Sequence, residues 1–330
     1  MHVFRAGAPV SAHARGLWLV LGATFFWSLS GVFVRWLPST DPWTFNAWRG
    51  LGMALSLVVW TLLHYRRAAV DLFRQANPVA IVLAAGFFAV GSSAYILALQ
   101  LASVAAVSCL GATSGLFAAV LARVWLGERT RLVFYVATLV SLVGVAVIAF
   151  SERNASVSGL AGSLVALVMA LCFAGQTVAL RRYSQQGMEP AMVAGGLATF
   201  VLVLLFGTLA PVAGSTIALL FLMGLVQLAL PMLLYMRGAR HVPVTQMVLI
   251  TMMDAVLNPL WVWVVFGEVP AAGVFWGGAL ILGAIGATTV RGATPEQAAT
   301  LELQALVDGM RSENRHEAIN TGPAGGRESP

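Results

Sequence analysis

Residues 124–130 read VWLGERT, and residues 264–270 read VVFGEVP. Each Gly-Glu pair closes one long apolar run and precedes another. The two glycines, Gly127 and Gly267, stand 140 residues apart. At the same offset upstream, Ser103-Val104-Ala105 falls on Pro243-Val244-Thr245. Arg35 falls on Arg181 at an offset of 146, and Asp41-Pro42 and Glu189-Pro190 each precede an apolar run. Self-similarity at a long fixed spacing marks a chain built from two like units.

Composition says what medium those units occupy. Of 330 residues, 59% are hydrophobic and 10% are charged, against about 25% charged in a soluble domain. Such a chain cannot coat itself with polar groups in water, so an all-α polytopic membrane protein is expected. About 20 apolar residues span the hydrocarbon core. Ten windows qualify: 16–37, 43–65, 78–99, 103–126, 132–150, 158–181, 190–211, 216–238, 243–267 and 271–290. The first of them is too long for a signal-peptide core.

The net charge is +6, and all 19 basic residues are arginine. They are scattered between apolar runs, which suits membrane topology and not nucleic acid. With the N-terminus in the cytoplasm, internal flanks hold Arg5, Arg15, Arg66, Arg67, Arg74, Arg129, Arg131, Arg181, Arg182, Arg237, Arg240 and Arg291. External flanks hold only Arg35 and Arg153. Both termini are therefore expected to be cytoplasmic. A cytoplasmic segment 1–15, repeats over 16–150 and 158–290, and a polar cytoplasmic tail 294–330 complete the expected layout. Within the tail, Ala299, Leu303, Leu306 and Met310 would share one helical face. Five helices per half is an odd number, so the second half enters the membrane in the opposite sense. Inverted repeats of this kind place substrate sites near mid-depth between the halves.

Few residues in the runs carry chemistry. Asp254 is the twelfth residue of its 25-residue window, near mid-depth, where a charge costs about 2.5–3.5 kcal/mol and needs an interior setting. A continuous helix would put Met247, Thr251, Asp254, Asn258 and Trp261 on one face. Two readings stay open for Asp254: binding of a substrate amine or proton, or a fixed structural carboxylate. Arg49 is expected either to pair with Asp254, to hold an anionic group, or to snorkel outward. Trp27, Tyr95, Gln176, Gln227 and Tyr235 are further lining candidates, with plain packing as the alternative for the aromatics. Glu128 and Glu268 are expected to satisfy backbone donors at a neighbouring helix start. Gly111–Gly115 and Gly273–Gly277 suit close helix crossings. Cys109 and Cys172 lie in apolar runs and suggest neither disulfide nor metal site. No cofactor is expected, and HExxH, GxSxG, Walker A and CxxC motifs are all absent from the sequence.

These residues carry a resemblance. Trp27, Arg49, the ending LARVWLGE, and the segment DAVLNPLWVWVVFGEVPAAGVFWGGALILGAIG resemble the EamA repeats of the drug/metabolite transporter superfamily. The resemblance covers roughly 16–290. It implies a multi-pass inner-membrane protein that carries small metabolites, with export more frequent than uptake. The halves depart from one another: Ser114 stands where the second half has Asp254, and Ala118-Ala119 where it has Asn258-Pro259. The expected function is a secondary transporter of amino acids or related amphiphiles, working by alternating access. Its partners would be that substrate and the bilayer, with a homodimer left open. An integral membrane enzyme, or a scaffold or sensor acting through the tail, are the alternatives. Deleting 294–330 separates the last of these, because a sensor would lose function and a transporter would keep its flux.

Overall fold

The computed structural model describes residues 12–37, 40–102, 104–128, 130–151, 160–267 and 269–291. Glu268, Arg129, Arg153, the first eleven residues and the tail with its expected amphipathic face lie outside them. The chain forms one unit over Met1–Gly286 and another over Ala287–Pro330; the packing below belongs to the first.

The described residues in elements are helical. In order they are α1 (Ala12–Trp27), α2 (Ser30–Trp36), α3 (Pro42–Tyr65), α4 (Ala68–Arg74), α5 (Pro78–Leu101), α6 (Val104–Ala112), α7 (Ser114–Leu121) and α8 (Leu132–Ser151). Then come α9 (Leu160–Arg182), α10 (Glu189–Phe206), α11 (Gly214–Met223), α12 (Leu230–Gly238), α13 (Val244–Thr251), α14 (Asp254–Phe266) and α15 (Ala272–Arg291). Two π-helical turns, Ala122–Leu126 and Gly224–Ala229, follow α7 and α11. Joined across their breaks, seven of these stretches are long and apolar enough to cross a membrane. Two more, Leu132–Ile148 and Ala272–Thr288, are apolar but shorter. The 24-residue α3 stands outside that set and carries the buried polar residues Asn46 and Arg49.

Local chemistry sets the ends. Asp41 caps α3, accepting from Thr44 N at 2.9 Å, and Pro42 occupies its first turn. Asn77 and Pro78 start α5 in the same way. At the repeat markers, Gly127 and Gly267 have φ of 71° and 73°. Both terminate their helices in the left-handed region, where a Cβ is strained. The matching Gly-Glu pairs therefore encode matching helix stops.

The halves also break their fourth helices at matching points. Thr113 N donates to Leu110 O and Met253 N to Ile250 O, each at 3.1 Å. Leu116 N to Thr113 O corresponds to Val256 N to Met253 O. These bonds span three residues rather than four, which tightens and bends the helix. Thr113 and Thr251 each turn their hydroxyl back on a carbonyl within their own turn. Asp254 thus begins a new helix. The single stripe from Met247 to Trp261 is interrupted at Met252-Met253, because the continuous-helix geometry it assumed does not hold.

Packing between the halves survives their exchange. Gly16 of α1 lies against Gly238 of α12, and Gly162 of α9 lies against Leu101 and Ala102 at the end of α5. Gly52 of α3 meets Phe221 of α11, and Gly195 of α10 meets Phe88 of α5. One contact maps onto itself, Gly50 with Gly196, while Gly144 meets Gly277 where the fifth helices of the two halves cross. Small residues let these backbones approach closely. The main core includes Met53, Leu57, Met192, Tyr235, Met247 and Ile281. Outward, large apolar side chains stay open, among them Leu63, Phe150, Phe206 and Trp276, each more than 70% exposed. An apolar surface of that extent suits hydrocarbon and not water.

Candidate functional site

Arg49 and Asp254 interrupt apolar runs in opposite halves. Arg49, in the third turn of α3, is buried at 8% exposure. One of its terminal nitrogens donates to Asn46 Oδ1 at 3.1 Å and to Ser92 Oγ of α5 at 3.3 Å. Ser92 Oγ donates in turn to Asn46 Oδ1 at 2.7 Å. The guanidinium lies 5.7 Å from the Phe45 ring centroid, and its Nε has no partner. All these contacts are neutral groups. Among the described residues, the side chain of Asp254, at the start of α14, makes no hydrogen bond or ion pair, and its Oδ1 is a buried orphan. Arg49 and Asp254 do not bridge each other. Tyr95 of α5 lies within electrostatic range of both, and 38% of its surface is open. Neither the cation nor the carboxylate has a counter-ion among the described residues.

Asn258 and Trp261, two of the lining candidates, reach across to the first half. Asn258 Nδ2 donates to Ser30 Oγ at 2.7 Å, and its Oδ1 accepts from Gly31 N at 3.1 Å. Trp261 Nε1 donates to Ser28 Oγ at 2.9 Å. Those three residues of the first half surround the break between α1 and α2, so α14 braces that break and gives one of its backbone donors, Gly31 N, an acceptor. Thr251 spends its hydroxyl on its own helix.

The remaining candidates form a second cluster. Trp27 meets Tyr235 edge-on at 5.0 Å and Phe173 at 6.3 Å. The Tyr235 hydroxyl pairs with Thr177 Oγ1 at 3.1 Å. Gln227, on the π-helical turn before Pro231, donates to Trp27 O at 3.3 Å and leaves its Oε1 unmet. Gln176 has only sulfur acceptors, Met192 at 3.6 Å and Met232 at 4.0 Å. π-helical turns recur at functional sites, and this one places an unsatisfied amide oxygen inside the bundle.

Glu128 lies at one end of the bundle. Its Oε1 pairs with Arg181 Nε at 3.2 Å, and its Oε2 accepts from Val244 N at 3.3 Å. Arg181 also donates to Ala239 O at 2.6 Å. The repeat marker of the first half thus ties α9, α12 and α13 of the second. Replacing Glu128 by Ala removes an acceptor for a charged group and a helix-start donor, worth about 1–3 kcal/mol. A thermal-melt cycle of Glu128→Ala, Arg181→Ala and the pair is expected to give a coupling of at least about 0.5 kcal/mol. Additive losses would mean that the bridge is inert.

His241, in the turn between α12 and α13, is held below the usual histidine range. Burial is the main cause, followed by Arg240, Arg15, Arg181 and His13. A lowered folded pKa means the unfolded chain binds the proton more readily, so stability is present above about 6.5 and is lost as pH falls below it. Melting curves between pH 7 and 5 are expected to fall less steeply for His241→Gln than for the parent.

Matched broken helices around two uncompensated charges define a class, membrane carriers with internal repeats. The EamA-like transporter family matches the chain twice, over 14–150 and 160–290. The chain belongs to that family and is a multi-pass membrane transporter of the drug/metabolite superfamily. One solved crystal structure of a protein, 22% identical, superposes with a TM-score of 0.73 over 84% of this chain and 96% of its own. It supports the fold alone. No curated protein matches the chain in sequence.

Proposed function

We propose that the chain is a secondary transporter of small zwitterionic metabolites, amino acids or close relatives, working by alternating access in the inner membrane. The observation that carries this reading is the pair Arg49, buried in the first half, and Asp254, with its Oδ1 buried in the second, neither having a counter-ion among the described residues. A zwitterion supplies both missing charges: its carboxylate suits the Arg49 fork, and its ammonium suits Asp254. Empty of substrate, Asp254 is the group that would take a proton, so coupling to a proton gradient follows from the same carboxylate.

Ten spans in two inverted five-helix repeats give the motion. The contacts between halves are kept on exchange, so two states of similar energy arise by swapping roles between the repeats. Arginine placement puts both termini, and the Glu128 brace, in the cytoplasm. Export is the direction suggested by the family resemblance.

Counterflow in proteoliposomes tests the reading. Vesicles preloaded with each amino acid should accumulate the same labelled compound above the empty-vesicle baseline for at least one of them. Baseline flux for all of them, alongside flux of a simple cation or anion, would replace the zwitterion with that class.

A further inference from the structure

At the end of the bundle where α3 and α12 finish, a cavity of about 170 Å³ is lined by His64, Tyr65, Glu189, Met236, Arg237 and Arg240, among others. It is separate from the Arg49 and Asp254 pair, since neither residue lines it. Glu189 is only 6% exposed. Its Oε1 accepts from the Tyr65 hydroxyl at 3.1 Å, and its Oε2 is a buried acceptor with no donor. The repeat sharpens the oddity. Asp41 holds the matching place in the first half and spends its carboxylate on Thr44 N, Thr44 Oγ1 and Thr208 Oγ1. Glu189 makes no such cap on α10, so its longer side chain is left for another purpose.

The cations in the same cavity are similarly unspent. The Arg237 guanidinium lies 4.9 Å over the Trp60 ring and forms no ion pair. Arg240 donates through Nε to Ser184 O at 2.9 Å, which leaves its terminal nitrogens for a ligand. We infer that this cavity is a second binding site, for a small molecule carrying both a primary ammonium and a carboxylate. The ammonium meets Glu189 Oε2, the carboxylate meets Arg237 and Arg240, and Met188, Leu233 and Met236 receive the apolar part. A simple anion would face the Glu189 carboxylate and leave it without a donor. A simple cation would face two guanidiniums. Only a ligand with both ends satisfies both. On the arginine-rich side of the chain, the site is the first station for a molecule arriving from the cytoplasm; that role rests on the transporter reading, while binding itself does not.

The test uses the purified full-length protein in detergent, with thermal melting against the twenty amino acids. Each stabilising one is compared with its decarboxylated amine and its deaminated acid. At least one zwitterion is expected to raise the melting temperature while neither half does so at equal concentration. Glu189→Gln should weaken binding about tenfold or more, and Arg237→Gln should do the same by removing the other pole. All of these shifts are read in an Asp254→Asn background, which removes the other zwitterion site and leaves this cavity alone to bind. No stabilising zwitterion in that background, or parent-like binding by both cavity variants, would overturn the site. Binding that is retained in a protein with no counterflow would overturn the transport reading and leave this site standing.

Discussion

Asp254→Asn is expected to cut transport steeply while leaving the fold as stable as the parent, or more so. The two halves of that result come from one fact: the carboxylate has no partner. A structural carboxylate is held by donors, and removing its charge strands them at about 1–3 kcal/mol. Asp254 strands nothing. Its charge costs about 2.5–3.5 kcal/mol at mid-depth, so an isosteric amide relieves that cost and the melting temperature should hold or rise. Function moves the other way. A charge-assisted contact to a substrate ammonium contributes about 1.5–3 kcal/mol, so flux in proteoliposomes at low substrate should fall about 10- to 100-fold. A stabilised, inactive protein is the pattern of a site that trades stability for activity. Flux in Asp254→Asn should also lose any dependence on an imposed pH gradient, because the amide takes no proton. Parent-like flux would remove Asp254 from the site, and a lowered melting temperature would make it structural.

Much of the fold was legible because it follows from composition and spacing. The Gly-Glu offset marked two helix stops that the backbone realises with left-handed glycines, and apolar windows located the long helices. The breaks were not legible. Thr113 and Met252-Met253 sit inside runs whose hydropathy is unbroken, and the bend arises from hydrogen bonds that hydropathy does not register. The partners of Asn258 and Trp261 were hidden for that reason: Ser28 and Ser30 lie in the other half, and no local period links them. Ser92 and Asn46, which hold Arg49, were missed among small residues. Asn46 and Arg49 stand three apart on one helix, which was a readable sign. The Glu189 cavity draws residues from three separate segments, so only the folded chain brings them together. Asp254 and Arg49 were legible because a charge in an apolar run is conspicuous without any structure.

The second large effect belongs to the crossing of α8 with α15. A Cβ built on Gly277 meets Gly144 O inside van der Waals contact, and one built on Gly144 stands 2.6 Å from Gly277 O. The clashing atoms are backbone on both sides, so no rotamer change relieves them and the helices must separate. Overpacking typically costs about 1–3 kcal/mol even where side chains can adjust, and here the lost contact also belongs to the two-fold packing of the halves. Gly277→Ala should therefore lower the melting temperature sharply and reduce the yield of monodisperse protein. Gly283→Ala is the control on the same helix. A Cβ there has nothing within 4 Å, and alanine in a helix interior gains about 0.5–1 kcal/mol over glycine. Opposite signs at two glycines six residues apart would locate the cost in the crossing itself. Equal, small effects at both would mean that α8 and α15 do not pack through these glycines.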